Sequence, residues 1–159
     1  DFEAQYQFPA GSGEARLGID GTYLFRFTRA ASASAPAIDI LNSINNPVDL
    51  RLRAHAGWTS GPLSALTSLN YVRGYTNSVV SPVEHVDAWT TIDAQLSYRF
   101  ENKTGLLQGL AVALSATNLF DKDPPYAAFS FNGITAVGYD PQNANPLGRV
   151  VSLQLTKAW

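Results

Sequence analysis

The sequence contains no cysteine, which removes disulfide bridges, thiolate metal sites and a cysteine nucleophile together. Charge is also scarce, because charged side chains make up 15% of the 159 residues, against roughly 25% in an average soluble domain. The formal net charge of −2 leaves no basic surplus to hold a phosphate backbone, so nucleic acid is not an expected partner. No apolar run approaches the roughly 20 residues of a spanning helix, which excludes a helical membrane protein.

The sequence has instead a strict alternation of apolar and polar residues, the period of a β-strand whose two faces meet different surroundings. The clearest example is VDLRLRAHAGW, residues 48–58, in which every even position is apolar. Seven segments show this pattern, some more weakly, and none has a convincing helical period. They cover residues 1–8, 13–30, 48–58, 63–75, 90–100, 110–120 and 148–159.

The connections between these segments alternate in length. The first, third and fifth are short and contain glycine, as tight turns require, whereas the others run over about 29–47, 76–88 and 121–148. In an up-and-down antiparallel sheet, all short turns would then lie at one end and all long loops at the other. This asymmetry is typical of outer-membrane barrels, which have short periplasmic turns and long extracellular loops.

Aromatic residues collect near the ends of the predicted strands. Amphipathic rings gather in this way at the two headgroup layers of a membrane. One group lies toward the short turns: Tyr6, Phe8, Trp58, Tyr98, Phe100 and Trp159. The other lies toward the long loops: Tyr23, Phe25, Phe27, Tyr71, Tyr75 and Trp89. A soluble β-sandwich is the alternative, and its aromatics would be scattered through one core.

We therefore predict an all-β fold, an antiparallel up-and-down transmembrane β-barrel segment with lipid on its apolar face and water on the other. Single-chain bacterial barrels have an even number of strands. Here the first and last strands run in the same direction, so the seven do not close a ring. Residues 1–159 are expected to be the C-terminal part of a larger barrel.

Three stretches resemble the C-terminal region of TonB-dependent outer-membrane receptors. They are VDAWTTIDAQLSYRF at 86–100, ATNLFDKDPPY at 116–126 and GYDPQNANPLGR at 138–149, followed by an alternating strand that ends on an aromatic residue. The resemblance covers essentially the whole chain, and its strongest motifs lie in the last ~45 residues. It implies a plugged barrel, of the 22-stranded class.

The resemblance also implies a function. Such receptors sit in the outer membrane of Gram-negative bacteria, among lipid and lipopolysaccharide, and are not enzymes. They bind a scarce nutrient, such as a ferric siderophore, haem, a cobalamin or an oligosaccharide. They admit it when TonB, driven by its inner-membrane energising complex, pulls on a plug domain. The plug and the TonB box are not among these residues, so energised transport is not expected of the chain alone.

Two groups are weak candidates for binding substrate. Arg51, Arg53 and His55 form a basic stripe that would steer an anionic siderophore, although a hydrated wall paired with neighbouring Asp residues explains them better. The longest loop offers an aromatic group suited to an uncharged or aryl ligand, for which strand extension beyond the membrane is the alternative. Its members are Tyr126, Phe129, Phe131 and Tyr139.

The closing strand resembles the signal that the barrel-assembly machinery reads, with Leu153, Leu155 and Trp159 as its residues. Lys157 departs from the apolar or tyrosine residue usual at that position, and near an interface its ammonium can reach the headgroups.

Catalytic, cofactor and metal sites are not expected. Glu84, His85 and Asp87 lack the spacing of a metal site, and no serine, histidine and aspartate form a credible triad. Two other functions remain open: a passive porin or autotransporter barrel, and a soluble carbohydrate-binding sandwich.

Overall fold

The computed structural model describes residues 1–102, 104–128 and 137–158. These residues form an all-β chain, and no helix long and apolar enough to cross a membrane occurs among them. The strands are β1 (Phe2–Ala10), β2 (Gly13–Tyr23), β3 (Thr28–Arg29), β4 (Ile38–Asp39), β5 (Leu50–Ser60), β6 (Leu63–Val72), β7 (Tyr75–Asn77), β8 (Glu84–Val86), β9 (Trp89–Arg99), β10 (Leu110–Thr117) and β11 (Val150–Lys157).

Seven long strands form one antiparallel sheet in the order β1-β2-β5-β6-β9-β10-β11. Each pairs with the next long strand along the chain, which confirms the seven predicted strands and their up-and-down arrangement. The sheet is open, with β1 and β11 at its edges. Four short strands, which the sequence did not predict, pair as β3–β4 and β7–β8 inside the long connections.

The connections alternate in length, as the sequence predicted. The short turns are 11–12, 61–62 and the described residues 100–102 and 104–109. Gly11 and Gly61 there have φ of +61° and +52°, which glycine adopts without a Cβ clash. The other three are called the second (24–49), fourth (73–88) and sixth (118–149) connections. Because neighbouring strands are antiparallel, these three share one end of the sheet, called here the long-connection end.

The register brings the apolar positions of all seven strands to one face of the sheet, called here the apolar face. Leu17 lies opposite Ala56, for example, and Leu96 lies between Ala65 and Leu114. Charged strand residues fall on the other face, called here the polar face, with one exception, Lys157. A shift of one residue in any pairing would reverse this segregation, so the alternation of the sequence determines the register.

The apolar face is not covered by another layer of the described chain. Leu96, on the central strand β9, is 50% exposed, and Leu153 on β11 is 65% exposed. The described strands that pack against one another are neighbours within a sheet. The residues expected to lie against lipid are therefore open on that side, within the part of the chain that the structure describes.

The buried hydrophobic residues lie instead at the long-connection end. Five of them form one cluster, with Val72 packed against it. They are Ile44, Val48, Tyr75, Val86 and Ala127. The core of the molecule is thus built by the connections, which the sequence did not indicate.

Four aromatic residues differ from the sequence prediction. Strand β2 ends at Tyr23, so Phe25 and Phe27 lie beyond it; Phe25 is 89% exposed, and its ring lies 5.1 Å from the Tyr23 ring, centroid to centroid. The placement of Tyr75 at the edge of the apolar face was wrong, because β6 ends at Val72 and Tyr75 begins β7 with its side chain buried. Trp89 pairs with Val72 and so has the parity of the polar face.

Candidate functional site at the long-connection end

The second connection attaches to the fourth through backbone pairing. Ser43 and Thr76 form a parallel bridge, and Thr76 donates its N–H to the carbonyl of Asn42 at 3.0 Å. Asn42 has φ +56°, a left-handed conformation that asparagine tolerates, and its side-chain oxygen accepts the N–H of Asp49 at 2.8 Å. Residues 42–44 therefore extend the small β7–β8 sheet by one short parallel segment.

The fourth connection holds the sixth through a buried amide and a carboxylate. The side-chain nitrogen of Asn77, fully buried, donates to the Glu84 carboxylate and to the carbonyl of Ala128, both at 3.0 Å. The same Glu84 oxygen accepts the N–H of Ala128 at 2.9 Å. The chain at 127–128 is thereby fixed against β7 and β8, with Ala127 in the core.

The sixth connection also returns to the second, through Asp140 and Asn143. One carboxylate oxygen of Asp140 accepts the N–H of Asn45 at 3.0 Å and the amide of Asn143 at 2.8 Å. Its other oxygen accepts the N–H of Gln142 at 2.9 Å. Asn143 further donates to the carbonyl of Asn46 at 2.9 Å. Both Asp140 and Asn143 are buried, and a buried carboxylate needs such donors to offset its desolvation.

Tyr75 belongs to the fourth connection and faces Asp140 and Asn143 of the sixth. Burial raises the pKa of its phenol well above the ordinary value of 10, and the charge of Asp140 and a hydrogen bond to it raise the pKa further. A hydrogen bond with Asn143 acts in the opposite direction, and the Glu84 charge adds a smaller increase. The phenol is therefore neutral at physiological pH and acts as a hydrogen-bond partner beside a buried carboxylate.

Asn118 ends β10 with a tight turn inside the motif ATNLFDKDPPY. Its φ is +50°, its side-chain oxygen accepts the N–H of Lys122 at 2.9 Å, and its side-chain nitrogen donates to the Lys122 carbonyl at 3.0 Å. Its own N–H donates to Asp93 on β9 at 2.9 Å. The side chain is buried, so the asparagine satisfies both polar groups of Lys122 without water.

Asp121, three residues later, connects this turn to the closing strand. Its carboxylate accepts the N–H of Arg149 at 2.7 Å, just before β11 begins. A Cβ on Gly148 would lie 2.5 Å from the same oxygen, so this approach requires glycine. These motif residues therefore have a structural role, because they link β9, β10 and β11 at the long-connection end. They are Asn118, Asp121, Gly148 and Arg149.

The structure gives Arg51 a partner in the sixth connection. Its guanidinium donates to the side-chain oxygen of Asn143 at 2.6 Å and to the carbonyl of Gln142 at 3.1 Å. Arg51 lies near the beginning of β5, where the sheet meets the connections. Its guanidinium therefore contacts the sixth connection as well as solvent, and it can position that connection.

Arg53 and His55 lie below Arg51 on the same face. Arg53 donates to the hydroxyl of Ser68 at 3.3 Å, and the His55 ring is 4.0 Å from the Asp20 carboxylate. The ring occupies the space above Gly18, where a Cβ would lie 2.3 Å from it. The stripe exists as predicted, but each member has a partner on a neighbouring strand or connection.

Charges on the polar face of the sheet cancel. The long strands bring four carboxylates and four guanidinium groups to that face, with His55 in addition. They are Glu3, Glu14, Asp20, Asp93, Arg16, Arg51, Arg53 and Arg99. A face with this composition does not attract anions as a basic stripe would, so the hydrated wall explains Arg51, Arg53 and His55 better.

The aromatic group of the sixth connection is described only in part. Tyr126 is 66% exposed and lies beside Gly138, whose carbonyl accepts the N–H of Ala127 at 3.1 Å. Tyr139 is half-buried next to it in the chain. Phe129 and Phe131 lie outside the described residues. The structure thus brings Tyr126 close to Gly138, the residue before Tyr139. The binding of an uncharged or aryl ligand by this aromatic group stays a prediction.

The predicted assembly signal is exposed where the structure describes it. Leu153 and Leu155 point outward from the edge strand β11, each 65% exposed, and Trp159 lies outside the described residues. Lys157 lies among the apolar positions, and its ammonium donates to the carbonyls of Leu106 at 2.8 Å and Gln108. Its charge is thereby satisfied by the turn before β10, in addition to any headgroup.

Apart from Arg51, the residues that organise the long-connection end were not among the predicted site residues. Asp140 and Asn143 belong to the motif GYDPQNANPLGR, whose density of Asp and Asn was the available signal. Tyr75 and Asn77 gave no such signal, because their burial depends on contacts with distant connections. Within the described ranges, no three His, Asp or Glu side chains are grouped to hold a metal ion.

Comparisons of the chain with protein-family models, with curated proteins and with solved structures find no match.

Proposed function

We propose that this chain is the C-terminal part of the transmembrane β-barrel of a TonB-dependent outer-membrane receptor, which takes up a scarce nutrient. The proposal rests on one observation above all: the register collects the apolar side chains of seven strands on one face, and that face is half-exposed. The long connections would then face the outside of the cell. The ligand classes are those of the family: ferric siderophores, haem, cobalamins and oligosaccharides.

The dimensions of the sheet agree with a membrane-spanning wall. Strands β2, β5 and β9 each have 11 residues. At about 3.3 Å per residue and a tilt of about 45°, such a strand rises about 25 Å, the height of the apolar band of outer-membrane barrels. The interior strands pair with a neighbour on both sides, so their backbone groups find partners within the sheet, as a lipid environment requires once the edges are also paired.

Aromatic pairs at the two ends of the strands also support a sheet that spans a membrane. Tyr6 and Phe8, and Tyr98 and Phe100, have ring centroids 5.5 and 5.0 Å apart near the short turns. The Tyr23 and Phe25 pair lies at the long-connection end. Rings with an apolar body and a polar edge favour the two headgroup layers, so two bands separated by a strand length suit a bilayer.

The soluble sandwich is less well supported. It needs a second sheet to cover Leu17, Leu96 and Leu114, each of which is close to half-exposed. The only further sheets among the described residues are the two-stranded β3–β4 and β7–β8 pairs, which lie within the connections. A passive pore would share the wall, and it is distinguished by the absence of a plug and of TonB dependence.

In the proposed mechanism this chain supplies wall and rim. The apolar face lies against lipid, the polar face lines the wet interior, and the three long connections form part of the outer mouth where the nutrient first binds. The plug and TonB supply the energised step. The chain's own polar face, with balanced charge and Ser, Thr and Gln between the charges, would let a hydrated solute pass without trapping it.

Cysteine labelling tests the topology, because none of these 159 residues is a cysteine that would compete for the label. In the intact protein in cells, Ser34→Cys in the second connection should react with a membrane-impermeant maleimide. Glu101→Cys in the fifth, short turn should react only after the outer membrane is permeabilised. Both residues are exposed, which makes them a matched pair. Equal labelling in intact cells would refute the membrane topology.

Uptake assays test the transport class. A strain lacking this protein should lose growth on one nutrient of a panel of ferric siderophores, haem, cobalamin and oligosaccharides, supplied as the only source. The complemented strain should regain that growth, and deletion of TonB should remove it again. Growth that is restored but independent of TonB would assign a passive pore instead.

A further inference from the structure

We infer that Asp140 is the centre of a clasp that locks the second, fourth and sixth connections into one preformed unit. The clasp consists of Asp140 and Asn143 with their partners Asn45, Asn46, Tyr75 and Arg51. The inference goes beyond the proposed function, since nothing in a nutrient receptor requires its outer connections to be locked before ligand arrives.

The contacts between the three connections form a closed circuit. The second joins the fourth at Ser43 and Thr76, and the fourth joins the sixth at Glu84 and Ala128. The sixth returns to the second at Asp140 and Asn45. In a closed circuit each link limits the motion of the other two, so the loss of one link loosens contacts that do not touch it.

The Asp140 link is buried and has a carboxylate as its acceptor. Its side chain is 1% exposed, and the groups that face it are the backbone N–H of Asn45 and Gln142, the amide of Asn143 and the phenol of Tyr75. Hydrogen bonds to a charged acceptor are roughly twice as strong as neutral ones, and removing the carboxylate takes this acceptor away from all four donors.

Arg51 attaches the clasp to the sheet. Its guanidinium donates to Asn143 and Gln142 from the beginning of β5, an interior strand of the sheet. The unit is therefore fixed relative to the strands, not only internally. A ligand that reaches this end of the molecule meets a fixed surface, and Arg51 is a positioning residue for that surface.

Amide hydrogen exchange on the intact, ligand-free protein tests the clasp. Asp140→Ala should speed exchange about ten-fold or more at Asn45, whose acceptor is lost, and also at Thr76 and Ala128, whose acceptors are intact. Amides in the middle of β5, β6 and β9 should keep their rates. Asp123→Ala, an exposed carboxylate of the same connection, is the matched control and should change none of these.

Faster exchange confined to Asn45 and Gln142 would overturn the inference, because Asp140 would then be a local cap only. Should the alanine variant not fold, Asp140→Asn keeps the shape and removes the charge, and it is judged by the same amides: faster exchange at Thr76 and Ala128 supports the clasp, and unchanged rates there overturn it. The result does not depend on what covers the apolar face, which the cysteine labelling tests separately.

Discussion

The sheet and the long-connection end differ in where their hydrophobic side chains lie. In the sheet, apolar side chains such as Leu96 are exposed and polar ones lie on the other surface, so folding in water would gain little from it. At the long-connection end, five hydrophobic side chains and the polar side chains of Asn77, Asp140 and Asn143 are buried together. The difference teaches that the connections carry a buried core of their own, whereas the sheet has an uncovered apolar face, which an apolar medium would cover in the proposed barrel.

The largest expected effect comes from a charge placed on the apolar face. Leu96 and Gln95 are neighbours on β9, both exposed, and they point to opposite faces. In the intact protein in bilayers, Leu96→Arg should lower the free energy of unfolding by about 2–4 kcal/mol, because a guanidinium near the membrane midplane is poorly solvated. Chemical denaturation of the bilayer-inserted protein measures it.

The matched control is Gln95→Arg, which should change the same free energy by less than about 0.5 kcal/mol, as ordinary surface substitutions do. If both substitutions cost equally little, water covers both faces and the contrast between the sheet and the connections disappears.

The next largest effect is expected where the two regions join, at Asn118. Asn118→Ala loses both bonds to Lys122 and places alanine at φ +50°, so we expect a loss of about 2 kcal/mol in unfolding free energy. Asn118→Gly loses the bonds but keeps the backbone relaxed, and should cost less. Asn102→Ala, in an exposed turn, is the control. Equal costs for the alanine and glycine variants would mean that backbone conformation contributes nothing there.

The sheet could be predicted from the sequence and the connections could not, for a physical reason. Period-2 alternation at 48–58 or 90–100 determines both strand and register, because one slip would exchange the faces. Residues such as Tyr75, Asn77 and Asp140 owe their burial to partners 40 or more residues away or to a neighbouring connection, as Asp140 does to Asn45. No local pattern carries that information.

The candidate site divides in the same way. The motif residues Asn118, Asp121 and Arg149 form a turn and the start of a strand, whereas the predicted strand 110–120 ran through Asn118 and ends in the structure at Thr117. The basic stripe at Arg51 was seen in the sequence, but its partners in the sixth connection were not, since they depend on how a long connection folds back. The predicted strand that ran through Tyr75 was wrong at its end, because β6 stops at Val72 and Tyr75 begins β7, which pairs with β8. A Cβ on Gly74 would lie 2.7 Å from the Val86 carbonyl, so a side chain there would disturb this approach.

A smaller effect is expected within the polar face, from Gly18. Gly18→Ala puts a Cβ 2.3 Å from the His55 ring, and should cost about 1 kcal/mol while the ring shifts. Gly57→Ala, where the nearest atom is 3.6 Å away, is the matched control and should cost less. In the double variant Gly18→Ala with His55→Ala the penalty of the glycine substitution should vanish. Persistence of the full penalty would place the strain in the backbone, not against the imidazole.

The smallest effect is expected for Tyr75→Phe, which should leave the tyrosinate absorbance of the folded protein unchanged. Because the pKa of Tyr75 is raised above 10, its phenol stays neutral while the protein is folded, and wild type and Tyr75→Phe should show the same tyrosinate absorbance between pH 9 and 11. The raised pKa also makes the free energy of unfolding depend on pH. The buried phenol contributes fully to that free energy below pH 10, and its contribution declines above pH 10 because the unfolded chain then loses a proton that the folded chain retains. Less tyrosinate absorbance in the variant within that range would show that Tyr75 is open to water, and the connections would then lack the sealed core that distinguishes them from the sheet.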